Sequence, residues 1–356
     1  MLKRICIIVA FFLVFMVGAV GCSLDKQSSA QSSNQIFVVQ VAPPSMQTQL
    51  KAKEIDAFIA WEPFNAAAVE SGAGRYLVQS GQTWPGHPCC VLAAASSLTN
   101  QNVLQALVWA NVKAIDFINN PANRNKVETY AEQFTGQSPQ VVQEALQHIQ
   151  YVEYPNATEF TRFYDDMLGN HLLTRTGTDL GFANNQAFFT NFMYKSVYDE
   201  VKSHLAQDPD WVPAPLPQSA KVRLGHLSQD LHELAQFVAE REGYYQKAGL
   251  IPGVNLTDRV YPNGVAAMQA FQNGEIDASY LGGAPATLKR VNDNIGIRII
   301  GGANNEGSAI VVRSGSTMTT VKELAGKTVA VPAVGTIQYF ILDQAARQAG
   351  LKLVIK

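Results

Sequence analysis

The sequence predicts an α/β protein of two similar lobes, and three observations support this. Strand-like and amphipathic helical stretches alternate over residues 36–150 and again from residue 221 to the end, which indicates mostly parallel sheets covered by helices. The tetrapeptide Glu-Ile-Asp-Ala occurs twice, beginning at Glu54 and at Glu275. A proline-rich segment over residues 205–220 is typical of an extended, semi-rigid linker between the two alternating regions.

The two copies of Glu-Ile-Asp-Ala share their surroundings. Each follows an amphipathic helical stretch, "MQTQLKAK" or "MQAFQNG", and each precedes an apolar run that fits a short buried strand. Beyond these strands come the loops Trp61-Glu62-Pro63 and Gly282-Gly283-Ala284-Pro285. Ligands of parallel α/β sheets bind beyond the carboxyl ends of the strands. The repeat therefore predicts one wall of a cleft from each lobe.

Several further elements follow from periodicity. Residues 36–41 and 57–61 are predicted as strands, 44–53 as a helix, and 101–120 as a helix with a continuous apolar stripe. Residues 221–227 are predicted as a strand and 233–249 as one helix with Gly249 as its C-terminal cap. The stretch 297–313 has the pattern of two strands flanking a turn.

The ends and the composition restrict the class of protein. The 356 residues have 16% charged side chains and a formal net charge of −2, so no electrostatic footprint for nucleic acid is present. Lys3 and Arg4 precede an apolar run over residues 5–20 that ends in small residues, which predicts a signal peptide over residues 1–21. The run is short for a membrane-spanning helix, although an uncleaved anchor is the alternative. Residues 22–35, rich in Ser and Gln, are predicted to be a flexible tether.

The four cysteines do not indicate a disulfide framework. Cys6 would leave with the signal peptide, and Cys22 ends an Ala-Val-Gly-Cys string that resembles a bacterial-type lipobox, which implies lipidation of Cys22. Cys89 and Cys90 are adjacent, and a bridge between neighbours strains its ring, so we expect two buried thiols. No Ser-His-Asp pattern or metal-ligand spacing is present in the sequence, so we expect no catalytic residue, no metal and no cofactor.

Six strings together resemble one protein family. They are "LSQDLHELAQFVAEREGYYQKAGL", "AAMQAFQNGEIDASYLGGAPA", "GANNEGSAIVVR", "LAGKTVAVPAVGTIQYFILDQA", "EIDAFIAWEPF" and "WPGHPCC". The chain resembles the NMT1-like solute-binding lipoproteins of ABC importers for nitrate, sulfonates, taurine and bicarbonate, to which thiamine-pyrimidine binding proteins are related. The resemblance implies a type II periplasmic-binding-protein fold of two lobes, each a mostly parallel sheet with flanking helices.

The order of the strings departs from that family. The strings that open family members close this chain, so the sequence resembles a circular permutation in which Lys356 would have met Ile36. The alternative is a fusion of fragments from two tandem genes. The family's lobes imply that residues 36–83 and 316–356 form one lobe and residues 84–204 and 221–315 the other, with residues 205–220 joining the family's usual ends.

Five loops are expected to converge on the cleft and supply the ligand-binding residues. The helix starts among them offer free N–H groups to an anion, while capping and tight-turn roles are the structural alternatives. The candidates are Ser228, Gln229, Asp230 and His232; Gly282, Gly283 and Ala284; Gly335, Thr336 and Gln338; Trp61 and Glu62; and Asn305 and Glu306 with His87.

The acidic candidates bear on the solute. Glu62 and Glu306 near one cleft would oppose a bare anion such as nitrate, and they suit a ligand with an amine or a neutral heterocycle better. Trp61 would stack on a planar ligand, and a protonated His87 would bind an anion or sense pH. Trp61 in the core, Glu62 as a helix-start acid and His87 as a structural residue are the respective alternatives.

The resemblance implies the function and the partners. We expect a monomeric, lipid-anchored protein at the extracytoplasmic face of the cell membrane, in the periplasm or at the cell surface, that binds a small-molecule solute and delivers it to an ABC permease with its ATPase. A ligand-sensing receptor lipoprotein is the alternative function. An enzyme similar to the thiamine-pyrimidine synthase, which shares this fold and uses a cysteine-rich motif, is a further alternative, but Cys89 and Cys90 alone are too few for that motif.

Overall fold

The computed structural model describes residues 34–356. The expected signal peptide, the lipidation site Cys22 and nearly all of the tether lie outside the described residues. Within residues 34–356, every helix falls short of the length and apolarity needed to cross a membrane.

Strands and helices alternate along most of the described chain. The strands are β1 (Gln35–Gln40), β2 (Ala57–Trp61), β3 (Gly74–Gln79), β4 (Cys90–Ala95), β5 (Ile149–Tyr151), β6 (Val222–Leu227), β7 (Leu256–Tyr261), β8 (Ala278–Gly282), β9 (Ile297–Gly302), β10 (Asn304–Glu306), β11 (Ser308–Arg313), β12 (Thr328–Val331) and β13 (Lys352–Ile355). The helices are α1 (Pro43–Ala52), α2 (Phe64–Glu70), α3 (Ser80–Thr83), α4 (Gln101–Asn119), α5 (Arg124–Thr135), α6 (Pro139–Leu146), α7 (Ala157–Gly169), α8 (Asn185–Phe192), α9 (Ser196–Gln207), α10 (Leu234–Arg241), α11 (Tyr244–Lys247), α12 (Gly264–Gln272), α13 (Gly283–Asn292) and α14 (Ile337–Gln348).

Two mixed, mostly buried sheets form the centres of two lobes. The first has the order β13-β1-β12-β2-β11-β3, in which only β11 runs antiparallel to the other five strands. The second has the order β7-β6-β8-β4-β9, in which β7, β6 and β8 are parallel. The predicted α/β class with helices covering largely parallel strands is confirmed, and the architecture fits the two-lobed periplasmic-binding fold.

The repeated tetrapeptide builds the same unit in each lobe. Ile55 and Ile276 are buried, and the aspartate that follows each of them binds the edge of its sheet. Asp56 accepts from the Thr328 N–H and pairs with Arg313. Asp277 accepts from the Arg223 N–H and pairs with the Arg223 guanidinium at 2.7 Å. The motif thus fixes the start of β2 and of β8, whose other ends point towards the other lobe.

The chain crosses between the lobes twice, and the crossings lie side by side. The first crossing runs from α3 to β4, and the second runs from β9 through β10 to β11. Pro88 bridges Asn305, the Cys89 N–H donates to the Asn304 carbonyl at 3.1 Å, and the Glu306 N–H donates to the His87 carbonyl at 3.2 Å. Two paired crossing segments form a hinge on which the lobes can close.

The second crossing corrects two predictions. Residues 297–313 do not form a hairpin, because β9 belongs to the second sheet and β11 to the first. Ser308–Arg313 therefore lies in the lobe of residues 36–83 and not in that of 84–204, to which the range 221–315 had assigned it. The sequence pattern of two strands and a turn is the same in both arrangements, so it does not distinguish them.

Two other predicted elements differ in detail. The helix predicted over residues 233–249 is interrupted at Gly243, which adopts a left-handed φ of 71° and separates α10 from α11. The proline-rich segment packs on the second lobe, where the Leu216 N–H donates to the Ala248 carbonyl and the Trp211 carbonyl accepts from the Trp109 indole. A continuous helix was expected because the apolar spacing runs through Gly243.

The described ends of the chain lie in the same sheet. Ile36 pairs with Leu353 and Val38 with Ile355 in parallel register, and the Lys356 N–H donates to the Val38 carbonyl at 3.0 Å. A direct link from Lys356 to Ile36 is therefore wrong, because neighbouring parallel strands need a crossover connection of roughly a dozen residues or more. The circular permutation itself stays a prediction.

Candidate functional site

A small enclosed cavity of about 10 Å³ lies between the lobes. This volume is about that of one water-sized probe, so the lobes are closed on each other. Residues from both lobes line it, and four of the predicted loops contribute. The lining residues are Trp61, Thr336, Ile337 and Gln338 from the first lobe and Cys89, Cys90, Leu227, Asp230, Gly264, Gly282 and Pro285 from the second lobe and its junction with the hinge.

Three helices begin at the cavity wall. α12 begins at Gly264, α13 at Gly283 directly after Gly282, and α14 at Ile337 directly after its cap Thr336. The first N–H groups of a helix have no partner within it and carry partial positive charge. The Thr336 hydroxyl accepts from the Tyr339 N–H, and Gln338 donates to the Ser308 hydroxyl at 3.0 Å. This wall of the cavity thus presents hydrogen-bond donors.

A buried cluster of thiols, an imidazole and carboxylates lies beside the cavity, and Cys89, Cys90 and Asp230 of this cluster line it. The His232 Nδ1 atom lies 3.3 Å from the Cys89 sulfur and 3.8 Å from the Cys90 sulfur, and the two sulfurs are 4.0 Å apart. The Asp230 carboxylate lies 3.6 Å from the same Nδ1 atom. Glu233 accepts from the Leu227 N–H at 2.5 Å. The sequence predicts two buried thiols at Cys89 and Cys90, and the fold in addition places the His232 imidazole beside both sulfurs.

Burial and mutual charge shift the titration of this cluster. Burial lowers the pKa of His232, but the Cys89 and Asp230 charges outweigh it and raise that pKa to about 10. Burial raises the pKa of Asp230 to about 7, against the opposing effect of His232. Burial and the Asp230 charge also raise the pKa of Glu233 well above its ordinary range. His232, Asp230 and Glu233 therefore hold protons that exposed groups of the same kinds would release. Burial opposes ionisation of the Cys89 thiol, but its hydrogen bond with Cys90 and the charge of His232 hold its pKa well below the ordinary value.

Glu62 and Trp61 come from the end of β2 in the first lobe. Glu62 is fully buried, its Oε2 atom accepts from the Ala66 N–H at 3.0 Å, and burial raises the pKa of its carboxyl to about 8. The Glu62 backbone carbonyl accepts from the Leu231 N–H of the second lobe at 3.1 Å. Trp61 lines the cavity and packs edge-on against Phe64. This loop therefore joins the lobes at the cavity.

Several buried polar atoms of this region have no hydrogen-bond partner within the described chain. They include Trp61 Nε1, Glu62 Oε1, Asn65 Oδ1, His87 Nε2 and Glu233 Oε1. Buried polar atoms are rarely left without partners in folded proteins, because each loses its hydration without compensation. These five atoms belong to the loop after β2, the start of α2, the hinge and the loop after β6, and of their residues Trp61 lines the cavity.

The other predicted candidates take up positions around this centre. His87, Asn305 and Glu306 lie in the paired hinge segments, where Glu306 accepts from the Gly86 N–H at 2.6 Å and does not line the cavity. The Ser228 N–H donates to the Tyr261 carbonyl. The Gln229 side chain donates to the Thr135 carbonyl on α5. Gly283, Ala284 and Gly335 are buried at the starts of α13 and α14. Neither Glu62 nor Glu306 is among the residues that line the cavity.

Sequence reasoning missed part of the lining. Leu227, Gly264, Ile337 and Pro285 were not named as candidates, and Cys89 and Cys90 were taken as apolar filler. The strand-then-helix pattern that identified Gly282 and Thr336 also applies to Leu227 and Gly264. For the cysteines, the available signal was their position in the hinge segment directly after His87-Pro88, at the start of β4.

Comparison with known protein families agrees with this architecture. Residues 23–131 match the NMT1-like family, and residues 233–354 match the NMT1/THI5-like family. The chain belongs to the NMT1-like family. The two matches together include β2 with its loop Trp61-Glu62, the cysteine pair, and the loops at Gly282 and Thr336, so each lobe of the NMT1-like protein contributes matched residues to the cavity.

Curated relatives are similar over part of the chain. The nitrate import ATP-binding protein NrtC of Synechocystis sp. is 28% identical over 118 residues, which is 32% of this chain and 18% of that protein. The protein of the same name from Synechococcus elongatus is 30% identical over 137 residues, which is 38% of this chain and 18% of that protein. The chain thus matches less than a fifth of the length of these relatives.

Proposed function

We propose that this NMT1-like protein is an extracytoplasmic solute-binding protein of an ABC importer of the nitrate and sulfonate type. It captures a small solute between its lobes and delivers it to a membrane permease that works with an ATPase. The observation that supports this best is the cavity closed by both lobes, with loops from β2, α12, α13 and α14 facing one another across it.

The hinge and the cavity together provide a capture cycle. In the open form, rotation about the two paired crossings would separate Trp61 and Gln338 from Cys90 and Asp230. A solute that contacts both walls binds the closed form more tightly and shifts the population towards it. The permease would then distinguish the loaded from the empty protein by its shape. Cys22 would hold the protein at the extracytoplasmic membrane surface.

The cavity walls restrict the solute. The starts of α12, α13 and α14 offer N–H groups at the cavity, and Asp230 offers a carboxyl group. No lysine or arginine is among the lining residues of this cavity. A solute with an anionic or acceptor end and a cationic or donor end, such as an aminosulfonate, would satisfy both kinds of group, whereas a bare anion would satisfy only the N–H groups.

Thermal unfolding of the full chain with a solute panel tests this proposal. The panel contains nitrate, bicarbonate, taurine, alkyl and aryl sulfonates, and thiamine-related pyrimidines. A solute at 100 times its dissociation constant adds about 2.7 kcal/mol to stability, which raises the melting temperature by several degrees.

Matched variants locate the binding. Gln338→Ala at the cavity is expected to abolish the shift caused by a responding solute, and Gln348→Ala, at the exposed far end of the same helix, is expected to preserve it. The proposal would be contradicted if the protein unfolds cooperatively but no solute changes its melting temperature. The panel for this outcome is a wide one of small anions, zwitterions and heterocycles.

A further inference from the structure

We propose that Cys89, Cys90 and His232 form a binding site for a thiophilic divalent cation such as Zn²⁺. The three side chains each offer one ligand atom, and these atoms lie within 4.8 Å of one another. All belong to the second lobe or to its junction with the hinge. The inference concerns the metal chemistry of these side chains and does not depend on which solute, if any, the protein transports.

The separations of the donor atoms match those around one tetrahedral ion. Ligands about 2.0–2.3 Å from a tetrahedral Zn²⁺ lie roughly 3.3–3.8 Å from one another. Here the Nδ1 atom of His232 is 3.3 Å from one sulfur and 3.8 Å from the other. The sulfurs are 4.0 Å apart, and Asp230 Oδ1 is 3.6 Å from the same nitrogen. A shift of a few tenths of an ångström would bring the two sulfurs and the Nδ1 atom onto one ion.

The orientation of His232 is that of a metal ligand. Its Nε2 atom lies 2.8 Å from the Gly307 carbonyl oxygen, which can only accept a hydrogen bond, so Nε2 carries a hydrogen. In the neutral ring this leaves the lone pair on Nδ1, the atom that faces both thiols. A backbone carbonyl that fixes the second nitrogen of a ligating histidine is a recurrent feature of zinc sites.

The surroundings also favour a cation. Glu62, Asp230 and Glu233 are buried, and within residues 34–356 the ion pairs of these three include no lysine or arginine. Cys90, Asp230 and Glu233 form a second group of close donor atoms, which shares Cys90 with the first. Glu233 Oε1 has no hydrogen-bond partner in the described chain. A divalent ion would offset this concentration of acidic groups, which are costly to bury unpaired.

The sequence could not show this site, because the ligands come from positions 89, 90 and 232 and have no recognisable zinc-finger spacing. It is the fold that brings the start of β4 beside the loop after β6. The competing interpretation is a metal-free core in which Cys89 and His232 Nδ1 share a hydrogen bond. The two interpretations differ in what the cluster does when a metal ion is added.

Cobalt titration of the reduced full chain distinguishes them. Co²⁺ bound by two thiolates and an imidazole in tetrahedral geometry gives sulfur-to-metal charge-transfer absorption and strong visible bands, which Zn²⁺ then removes by displacement. We expect one Co²⁺ ion to bind per chain. We also expect that added Zn²⁺ protects Cys89 and Cys90 from an alkylating reagent. The protection measurement needs no variant, so it tests the site even where a substitution prevents folding.

Variants then assign the ligands. Cys89→Ser, Cys90→Ser and His232→Gln are each expected to weaken Co²⁺ binding by more than a hundredfold, beyond what loss of an outer-shell contact alone causes. His226→Gln is the matched control, because His226 is a buried histidine nearby that pairs with Asp258 and lies outside the cluster. Absence of charge-transfer absorption, or alkylation of both thiols unaffected by Zn²⁺, would overturn the proposal and establish a hydrogen-bonded thiol core.

Discussion

The indole nitrogen of Trp84 donates a hydrogen bond to the Glu159 carboxylate at 2.8 Å, and this bond joins the two lobes at the cavity's edge. Trp84 ends α3 in the first lobe, whereas Glu159 lies in α7 of the second. The Trp84 ring also packs on Phe340 of α14 and on Phe163 of α7. Trp84 and its contacts therefore act as a latch that holds the lobes closed.

Trp84→Phe is expected to open the lobes. The substitution removes the donor to Glu159 and part of the interlobe packing, and a net hydrogen bond is worth about 1 kcal/mol, which is roughly fivefold in the closed-to-open ratio. Double electron–electron resonance between spin labels on α1 and α9 would measure the interlobe distance. Trp109→Phe is the control, because Trp109 donates to the Trp211 carbonyl within one lobe. An unchanged distance distribution in Trp84→Phe would rule out the latch.

The buried carboxyl group of Glu62 is expected to make the stability of the protein depend on pH. Burial raises the pKa of its carboxyl from about 4.5 to about 8 in the folded protein. Between these values the folded state binds more protons than the unfolded state, so Glu62 makes the free energy of unfolding fall as pH rises from about 4.5 to about 8. Glu62→Gln keeps an acceptor for the Ala66 N–H and does not titrate.

The comparison is made by thermal unfolding from pH 5 to pH 9. The melting temperature of Glu62→Gln relative to the wild type is expected to increase with pH by a few degrees over this window. Glu70→Gln supplies the control, since Glu70 is an exposed glutamate at the end of α2, the helix that follows Glu62. A difference between Glu62→Gln and the wild type that stays constant with pH would show that the carboxyl is ionised throughout.

Much of the fold could be predicted from local sequence patterns. The strand over Ala57–Trp61 and the helix over Gln101–Asn119 follow directly from apolar runs and an apolar stripe. The Glu-Ile-Asp-Ala repeat located two of the loops at the cavity, because it recurs in the same place in both lobes. These features depend on neighbours in the chain, and such neighbours are visible in the sequence.

The remaining features depend on distant partners. Nothing near Ser308 indicates that β11 leaves the sheet of β9, since both strands are equally apolar. Likewise, Cys89 and His232 are 143 residues apart, and only the pairing of β4 with β8 and of β8 with β6 brings their loops together. The loops at the cavity that follow a local sequence motif could be predicted. The contact between Cys89 and His232 could not, because it depends on which strands are neighbours in the sheet.

Gly307 is expected to tolerate no side chain. Its φ is 82°, and a Cβ atom there would lie 2.3 Å from His232 Nε2, so alanine adds both backbone strain and a clash at the hinge. We expect Gly307→Ala to lower stability by more than about 2 kcal/mol. Gly86→Ala is the matched control, because Gly86 has a φ of 67° with nothing within 4 Å of the added atom, so only the strain of roughly 1 kcal/mol applies. Urea unfolding measures both, and equal losses would show that His232 does not restrict Gly307.

Asn111 ties three elements of the second lobe together. Its amide nitrogen donates to the Gly302 carbonyl of β9, and its oxygen accepts from the Tyr280 hydroxyl of β8, each at 2.9 Å and with no exposure. Asn111→Ala would leave both partners buried without a hydrogen bond, and we expect a loss of about 3 kcal/mol. Tyr280→Phe removes one bond, and we expect a loss of about 1–2 kcal/mol.

The double variant decides whether these bonds act as one network. Each single variant already leaves a buried group without its partner. The double variant Asn111→Ala with Tyr280→Phe should therefore lose roughly 1 kcal/mol less free energy of unfolding than the sum of the two single losses. Urea unfolding of the wild type, both single variants and the double variant gives this coupling energy directly. Strict additivity would mean that Tyr280 and Asn111 each find other partners when the first is removed, and that α4 is held to the sheet by packing alone.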